Sequence, residues 1–193
     1  MPLKTIVKVG NISNLSDARY CAGMGVDMLG FTVIEGNESF VSPKLYQEIR
    51  GWVAGPSVVL ALYGLPSASS LPAILDNYVP DYLEVGIREL RHLPISLSCP
   101  IILAMETPAD LAEAEPWHKG IAYLQVKEIN KELIAEIQPS FPVLLELQSA
   151  SLLQQLLDTN PIKGIALSGS PEVRPGFKDY HNLTDVLEQL ETD

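Results

Sequence analysis

Apolar and polar residues along the chain fall into a repeating unit with two patterns. A short, β-rich apolar run comes first, and a segment with apolar residues at helical spacing follows it. Eight such runs are present, and their starts lie about 20–30 residues apart, which is the size of one βα unit. The runs are Thr5–Gly10, Val26–Ile34, Ser57–Tyr63, Asp81–Gly86, Pro100–Met105, Gly120–Lys127, Pro142–Leu147 and Lys163–Ser168.

The segments between the runs carry apolar stripes that predict helices packed on a sheet. Two of these stripes are Leu45, Ile49, Trp52 and Val53, and Leu183, Val186, Leu187 and Leu190. Asn14 and Ser42 stand where helix N-caps are expected, and Ser42 is followed by a proline at the first helical position. Weaker patterns predict short helices around Arg88–Ser98 and Pro108–Trp117.

Strands that alternate with helices predict a parallel sheet, and eight βα units favour a closed (βα)8 TIM barrel. The chain is short for this fold, so the barrel is expected to be compact with short loops. No linker or change of composition divides the chain, which indicates one domain over residues 1–193. The alternative is an open, doubly wound sheet.

Composition and charge narrow the classes of function. The chain has 13 Lys and Arg against 24 Asp and Glu, and this acidic balance disfavours nucleic-acid binding. No apolar run approaches the length of a membrane span, and the first residues resemble no signal peptide, so a cytoplasmic protein is expected. The two cysteines, Cys21 and Cys99, predict neither a disulfide framework nor a zinc site. No cofactor motif is present, so neither a cofactor nor a metal is expected, and the oligomeric state stays open.

Candidate chemistry is expected at the C-terminal ends of the strands, where active sites of βα barrels lie. Tyr123, Gln125 and Lys127 alternate with apolar residues in the sixth run, which predicts that this polar set faces the barrel interior. Glu84 in the fourth run and Glu146 in the seventh are further titratable candidates. The alternative for each of these residues is a solvated position on the rim.

The eighth run leads into Ser168, Gly169 and Ser170. A turn of this kind after the last strand of a barrel presents backbone N–H groups and often binds phosphate. We therefore predict that these three residues bind a phosphate group. The alternative is a structural turn, continued by Pro175–Asp179, that leads into the cap of the last helix.

Motifs of a known kind lie near the two ends of the chain. Near the beginning they are Val7–Ala18, Ala22–Phe31 and Phe40–Pro43, and near the end they lie within Ser168–Asp179. These stretches resemble the phosphoribosylanthranilate isomerase family of tryptophan biosynthesis. The first set is similar to the family's Lys-apolar-Cys-Gly-apolar-Thr, Asp-Ala, Gly-Ala-Asp-x-x-Gly-Phe and aromatic-apolar-Ser-Pro patterns. The last is similar to the family's Ser-Ser-Gly-Val-Glu, followed by Pro-Gly-x-Lys-Asp.

The resemblance implies a (βα)8 barrel and an Amadori rearrangement, with a Cys as general base on the first strand and an Asp as general acid on the sixth. Here those positions are Gly10 and Gln125, neither of which can exchange a proton. Ser39 stands where the family has an Arg for the substrate carboxylate. The second half of the family's phosphate site is replaced by Gln148 and Ser149.

Two interpretations of function follow. In the first, the chain is a catalytically altered or inactive relative that binds a small anionic or phosphorylated metabolite, or a partner. In the second, it is an active phosphoribosylanthranilate isomerase or a related sugar-phosphate isomerase. Its acid–base groups would then have been relocated to Glu84, Lys127 or Glu146.

Overall fold

The computed structural model describes residues 3–127, 140–147, 153, 162–169, 172–174, 177–178 and 181–192. Among these residues, eight parallel strands close into a barrel in which β8 pairs with β1. The strands are β1 (Ile6–Gly10), β2 (Met28–Thr32), β3 (Ser57–Ala61), β4 (Tyr82–Gly86), β5 (Ile101–Met105), β6 (Ile121–Lys127), β7 (Val143–Glu146) and β8 (Gly164–Ser168). The prediction of a TIM barrel is confirmed, and the alternative of an open sheet is wrong.

Helices alternate with the strands along the described part of the chain. They are α1 (Leu15–Gly23), α2 (Pro43–Arg50), α3 (Leu71–Tyr78), α4 (Ile87–Leu90), α5 (Pro108–Glu113) and α6 (His181–Leu190). Short 3₁₀ helices cover Ala68–Ser70 and Glu115–Gly120, and an antiparallel pair, β9 (Glu172–Arg174) and β10 (Phe177–Lys178), follows β8. None of the helices in these ranges is long and apolar enough to cross a membrane.

Local sequence explains where several helices begin and end. Asn14 caps α1 by accepting a hydrogen bond from the Asp17 N–H, at 2.9 Å, and the Ser42 side chain caps α2. The stripe that extended α2 to Val53 is wrong at Trp52, because the helix stops at Arg50 and Trp52 is 76% exposed. The fourth helix also ends well before Ser98, and Pro94, which follows it, disfavours a helical continuation.

Two apolar layers surround the strands. The larger lies between the barrel and the helices and includes fully buried Phe31, Leu60 and Leu103. The smaller fills the barrel interior, where Met28, Val59, Ile102, Leu144 and Ala166 are buried against one another. This inner layer fills the lower part of the barrel, and the space lined by Lys8, Gly10 and Glu84 lies above it, towards the C-terminal ends of the strands.

The close approach of β1 and β8 at Gly164 predicts a large effect of a single methyl group. A Cβ atom at Gly164 would lie 2.8 Å from the Ile6 Cβ and closer still to the Ile6 carbonyl oxygen. We expect Gly164→Ala to lower the free energy of unfolding by about 1–3 kcal/mol or more, because the two strands must separate. Urea denaturation measures this change.

Gly23→Ala is the matched control, since Gly23 lies in the last turn of α1 and a Cβ there meets no atom within 4 Å. We expect this variant to be unchanged or more stable by up to about 1 kcal/mol. Equal urea midpoints for the two variants would contradict the close packing of β1 on β8.

Candidate functional site

Three polar side chains form a layer directly above the apolar interior of the barrel. Lys8 on β1, Glu84 on β4 and Gln125 on β6 are 2%, 5% and 7% exposed. The Lys8 Nζ atom lies 2.6 Å from Glu84 Oε2 and donates a hydrogen bond to Gln125 Oε1, at 2.8 Å. A buried ammonium group therefore has one carboxylate and one amide oxygen as partners, which compensates much of its desolvation.

Tyr63, which follows β3, completes this layer on the other side of Glu84. Its hydroxyl donates to Glu84 Oε1 at 2.9 Å, so both carboxylate oxygens of Glu84 have a partner. Burial of the phenol, and next the charge of Glu84, raise the pKa of Tyr63 well above its ordinary value. Tyr63 is therefore a proton donor to Glu84 across the physiological range.

Gln125 also connects the polar layer to Glu146 at the end of β7. Its Nε2 atom donates to Glu146 Oε2 at 3.3 Å, and Glu146 is half-buried. Since Oε1 accepts from Lys8 and Nε2 donates to Glu146, the orientation of the amide is set at both ends. Tyr63, Gln125 and Glu146 form the wall between two cavities at the C-terminal mouth of the barrel.

The inner cavity has a volume of about 130 Å³ and the outer cavity about 390 Å³. Lys8 and Glu84 line the inner cavity, whereas the exposed Lys127 and Arg88 line the outer one. Acidic residues outnumber basic residues along the outer cavity, in keeping with the acidic character of the whole chain. Together the cavities form a polar mouth with an ammonium group at its deepest point.

Gly10 lies at the end of β1, on the wall of the inner cavity. A Cβ atom there would lie 3.9 Å from Lys8 Nζ and 3.7 Å from the Leu167 carbonyl oxygen, so there is room for a side chain. Asn11, at the position of the glycine in the resembling motif, has a φ of 55°, a backbone conformation that glycine and asparagine favour. The assignment of Gly10 to the family's cysteine position stays a prediction.

The turn after β8 does not present all of its backbone N–H groups to an anion. The Gly169 N–H donates to the Gly10 carbonyl oxygen at 2.9 Å, so this amide is already engaged. Ser168 lines the inner cavity, and Ser170 lies outside the described residues. Phosphate binding by Ser168, Gly169 and Ser170 stays a prediction, and it requires the Gly169 amide to leave Gly10.

The structure brings together most of the residues that the sequence singled out. Gly10, Gln125, Glu84 and Glu146 line the inner cavity, and Lys127 lies on the outer one. The interpretation of Glu84 as a solvated rim residue is wrong, because its side chain is buried within the barrel. Gln148 and Ser149 lie outside the described residues, and no cluster of possible metal ligands occurs among the residues that are described.

Sequence reasoning missed the importance of Lys8 and Tyr63. Lys8 lies on the same face of β1 as Gly10, but its partners come from β4 and β6, far away in the chain. Tyr63 lies two residues beyond Ala61 and continues the inward-facing positions of β3. That alternation is the one local feature that could have identified it.

Comparison with known proteins gives a related sequence and many related folds. No protein-family model matches the chain. The N-(5′-phosphoribosyl)anthranilate isomerase of Bordetella petrii is 28% identical over 82 residues, which are 42% of this chain and 37% of that protein. The chain is thus matched over well under half the length of this curated relative.

Several solved structures have the same fold as this chain over nearly its whole length. Monomers generated from the dimeric phosphoribosylanthranilate isomerase of Thermotoga maritima superpose with a TM-score of 0.75 at 18% identity, covering 96% of this chain and 98% of theirs. A phosphoribosylanthranilate isomerase in complex with reduced 1-(o-carboxyphenylamino)-1-deoxyribulose 5-phosphate gives 0.76 at 16% identity, covering 95% and 97%. The chain is therefore similar to phosphoribosylanthranilate isomerases in its fold and, over 82 residues, in its sequence.

Proposed function

We propose that the chain binds a small phosphorylated or other anionic metabolite at the mouth of the barrel and does not act as a phosphoribosylanthranilate isomerase. The observation that carries this proposal is the composition of the inner cavity. The two positions that the resemblance assigns to the general base and the general acid, Gly10 and Gln125, both line it. Neither residue titrates, and the amide of Gln125 is held by Lys8 and Glu146.

Several features support a ligand of this class. The Lys8 ammonium group lies at the bottom of the inner cavity, where it is shielded from water and can attract an anionic or carbonyl oxygen. The outer cavity offers room for the rest of a molecule and includes Arg88 and Lys127. A structural relative of the chain forms a complex with a ribulose 5-phosphate derivative, which makes phosphorylated sugars the first ligands to test.

A second candidate function, isomerisation by relocated groups, is favoured by Glu146. Its carboxylate is half-buried, lies on the wall shared by both cavities and has a long hydrogen bond of 3.3 Å to Gln125. Glu84 fits the role of a free base less well, because Lys8 and Tyr63 occupy both of its oxygens. The two functions differ in turnover, which an isomerase assay measures directly.

Titration with ribose 5-phosphate tests the binding proposal. We expect weak binding, with a Kd of about 1 mM, because the Gly169 N–H must first leave the Gly10 carbonyl oxygen and acidic groups surround the mouth. Amide NMR shifts should concentrate at Ser168, Gly169 and the end of β1. Ribose without phosphate should bind more weakly at the same residues.

A charge placed at the turn provides the matched comparison. Ser168→Asp should abolish the shifts, because a carboxylate at the exposed Ser168 repels phosphate. Ser96→Asp adds the same charge at an exposed position near the opposite end of the barrel and should leave binding unchanged. Saturation with shifts that map away from this turn would contradict a phosphate site there.

A further inference from the structure

Lys8, Glu84 and Tyr63 have the arrangement of a nucleophile, a base and a group that orients the base. The amine nitrogen lies 2.6 Å from one carboxylate oxygen, and the phenol donates to the other at 2.9 Å. An activated nucleophile is recognised by this geometry, in which a base within hydrogen-bond reach is itself held by a third group. Lysine amines form imines with carbonyl compounds, and here a carboxylate that can accept the ammonium proton lies within hydrogen-bond reach.

The space above Lys8 is open because the neighbouring inward-facing residues are small. Gly10, Gly30, Ala61 and Ala166 line the inner cavity beside the ammonium group. A cavity of about 150 Å³ holds a molecule of six carbon atoms, so one of about 130 Å³ accommodates about six non-hydrogen atoms. A three-carbon hydroxyketone or hydroxyaldehyde has this size.

We propose that Lys8 forms a covalent imine with a small hydroxycarbonyl compound bound in the inner cavity, with Glu84 as the proton carrier and Tyr63 holding Glu84 in place. This inference goes beyond the proposed function, because it requires no phosphate group and no contact with the turn after β8. The outer cavity would receive any substituent that extends past the third carbon atom.

The steps balance without any further reactant. Glu84 takes one proton from the Lys8 ammonium group, and the freed amine adds to the carbonyl carbon. The proton on nitrogen moves to the former carbonyl oxygen, which gives a neutral carbinolamine. Glu84 then returns its proton to the carbinolamine hydroxyl group, and water leaves as the iminium forms. The carboxylate of Glu84 is thereby restored, and the positive charge beside it is retained.

Borohydride trapping tests this proposal on the intact chain. We expect incubation with dihydroxyacetone followed by sodium borohydride to add one reduced adduct per chain, and peptide mass spectrometry should place it on Lys8. Glu84→Gln removes the proton carrier but keeps an oxygen for Tyr63, so it should slow trapping by about 10²-fold or more. Tyr63→Phe should slow trapping less, because the carboxylate is still present.

The controls separate an active lysine from ordinary surface labelling. Lys8→Arg keeps a positive charge beside Glu84 but cannot form an imine, so it should abolish the adduct and retain the circular dichroism spectrum of the fold. Lys119→Met removes an exposed lysine that lies just before β6, at the other end of the barrel, and should leave trapping unchanged. Adducts spread over exposed lysines, with none on Lys8 in the folded wild-type chain, would overturn the proposal. Ribose 5-phosphate binding would be unaffected by that outcome.

Discussion

We expect the purified chain to convert phosphoribosylanthranilate slowly. Its turnover number should lie at least about 10²–10⁴-fold below that of a typical enzyme, which is about 10 s⁻¹. The reason is that the pair of positions assigned by the resemblance, Gly10 and Gln125, can neither give nor take a proton. Each missing acid or base costs about 10²–10⁴ in rate, and here both are missing. A continuous isomerase assay on the wild-type chain measures the effect. A turnover above about 1 s⁻¹ would favour the second candidate function.

The double variant Gly10→Cys with Gln125→Asp tests whether these two side chains alone account for the expected lack of isomerase activity. The structure has room for a side chain at position 10, with Lys8 Nζ 3.9 Å from the new Cβ atom. We expect a gain over the wild-type rate but no fast enzyme, because Ser39 stands where the resemblance implies an Arg for the substrate carboxylate. A misplacement of about 1 Å costs about 10²-fold. Gly10→Ala with Gln125→Asn is the matched control and should show no gain.

Thiol reactivity checks that the new cysteine is folded into the site. Cys21 is fully buried, and burial, with a smaller contribution from Asp81, raises the pKa of Cys99 to about 11. Both natural thiols should therefore react slowly at neutral pH. A thiol at position 10, next to the Lys8 ammonium group, should react faster than Cys21 and Cys99. Fast labelling therefore shows that the new cysteine lies in the site. A fast isomerase from this double variant would show that the rest of the pocket had been intact.

Much of the fold could be predicted because the sequence of a βα barrel repeats the same pattern of apolar and polar residues. Each parallel strand is buried on both faces and therefore consists of a run of apolar residues. Each helix between strands has apolar residues at helical spacing along one face. The ends of elements are less well predicted, since they depend on contacts outside the local sequence. Trp52 continues the stripe of α2 in sequence, yet the helix has already ended before it.

The site could be predicted only where strand alternation carries the information. Tyr123 and Gln125 face inward as predicted, although the register shifts between β5 and β6 just before Tyr123. Lys127 is exposed at the outer cavity, which is the alternative of a solvated position on the rim. The ion pair of Lys8 with Glu84 could not be foreseen, because the two residues are on strands that are not neighbours in the sheet. Nor could the sequence show that the Gly169 amide is taken up by Gly10.

The same ion pair leads to a large expected effect on stability. We expect Lys8→Met to lower the free energy of unfolding by about 3–5 kcal/mol, because it leaves the buried Glu84 carboxylate without its cation. Glu84→Gln should also destabilise the fold, since the Lys8 ammonium group then has only neutral partners. Urea denaturation at a fixed pH measures both variants, with the m value as a check on two-state unfolding.

The double variant, Lys8→Met with Glu84→Gln, distinguishes an interacting pair from two independent residues. It should be more stable than Lys8→Met alone, because no charge is then left unpaired in the barrel, while the amide oxygen still accepts from Tyr63. The exposed pair of Arg91 with Glu113 is the matched control, and the same removals there should leave the urea midpoint almost unchanged. Strictly additive effects of Lys8→Met and Glu84→Gln would contradict the coupling. Additive effects would mean that water reaches the polar layer. Lys8 would then lack the shielded surroundings on which its proposed chemistry depends.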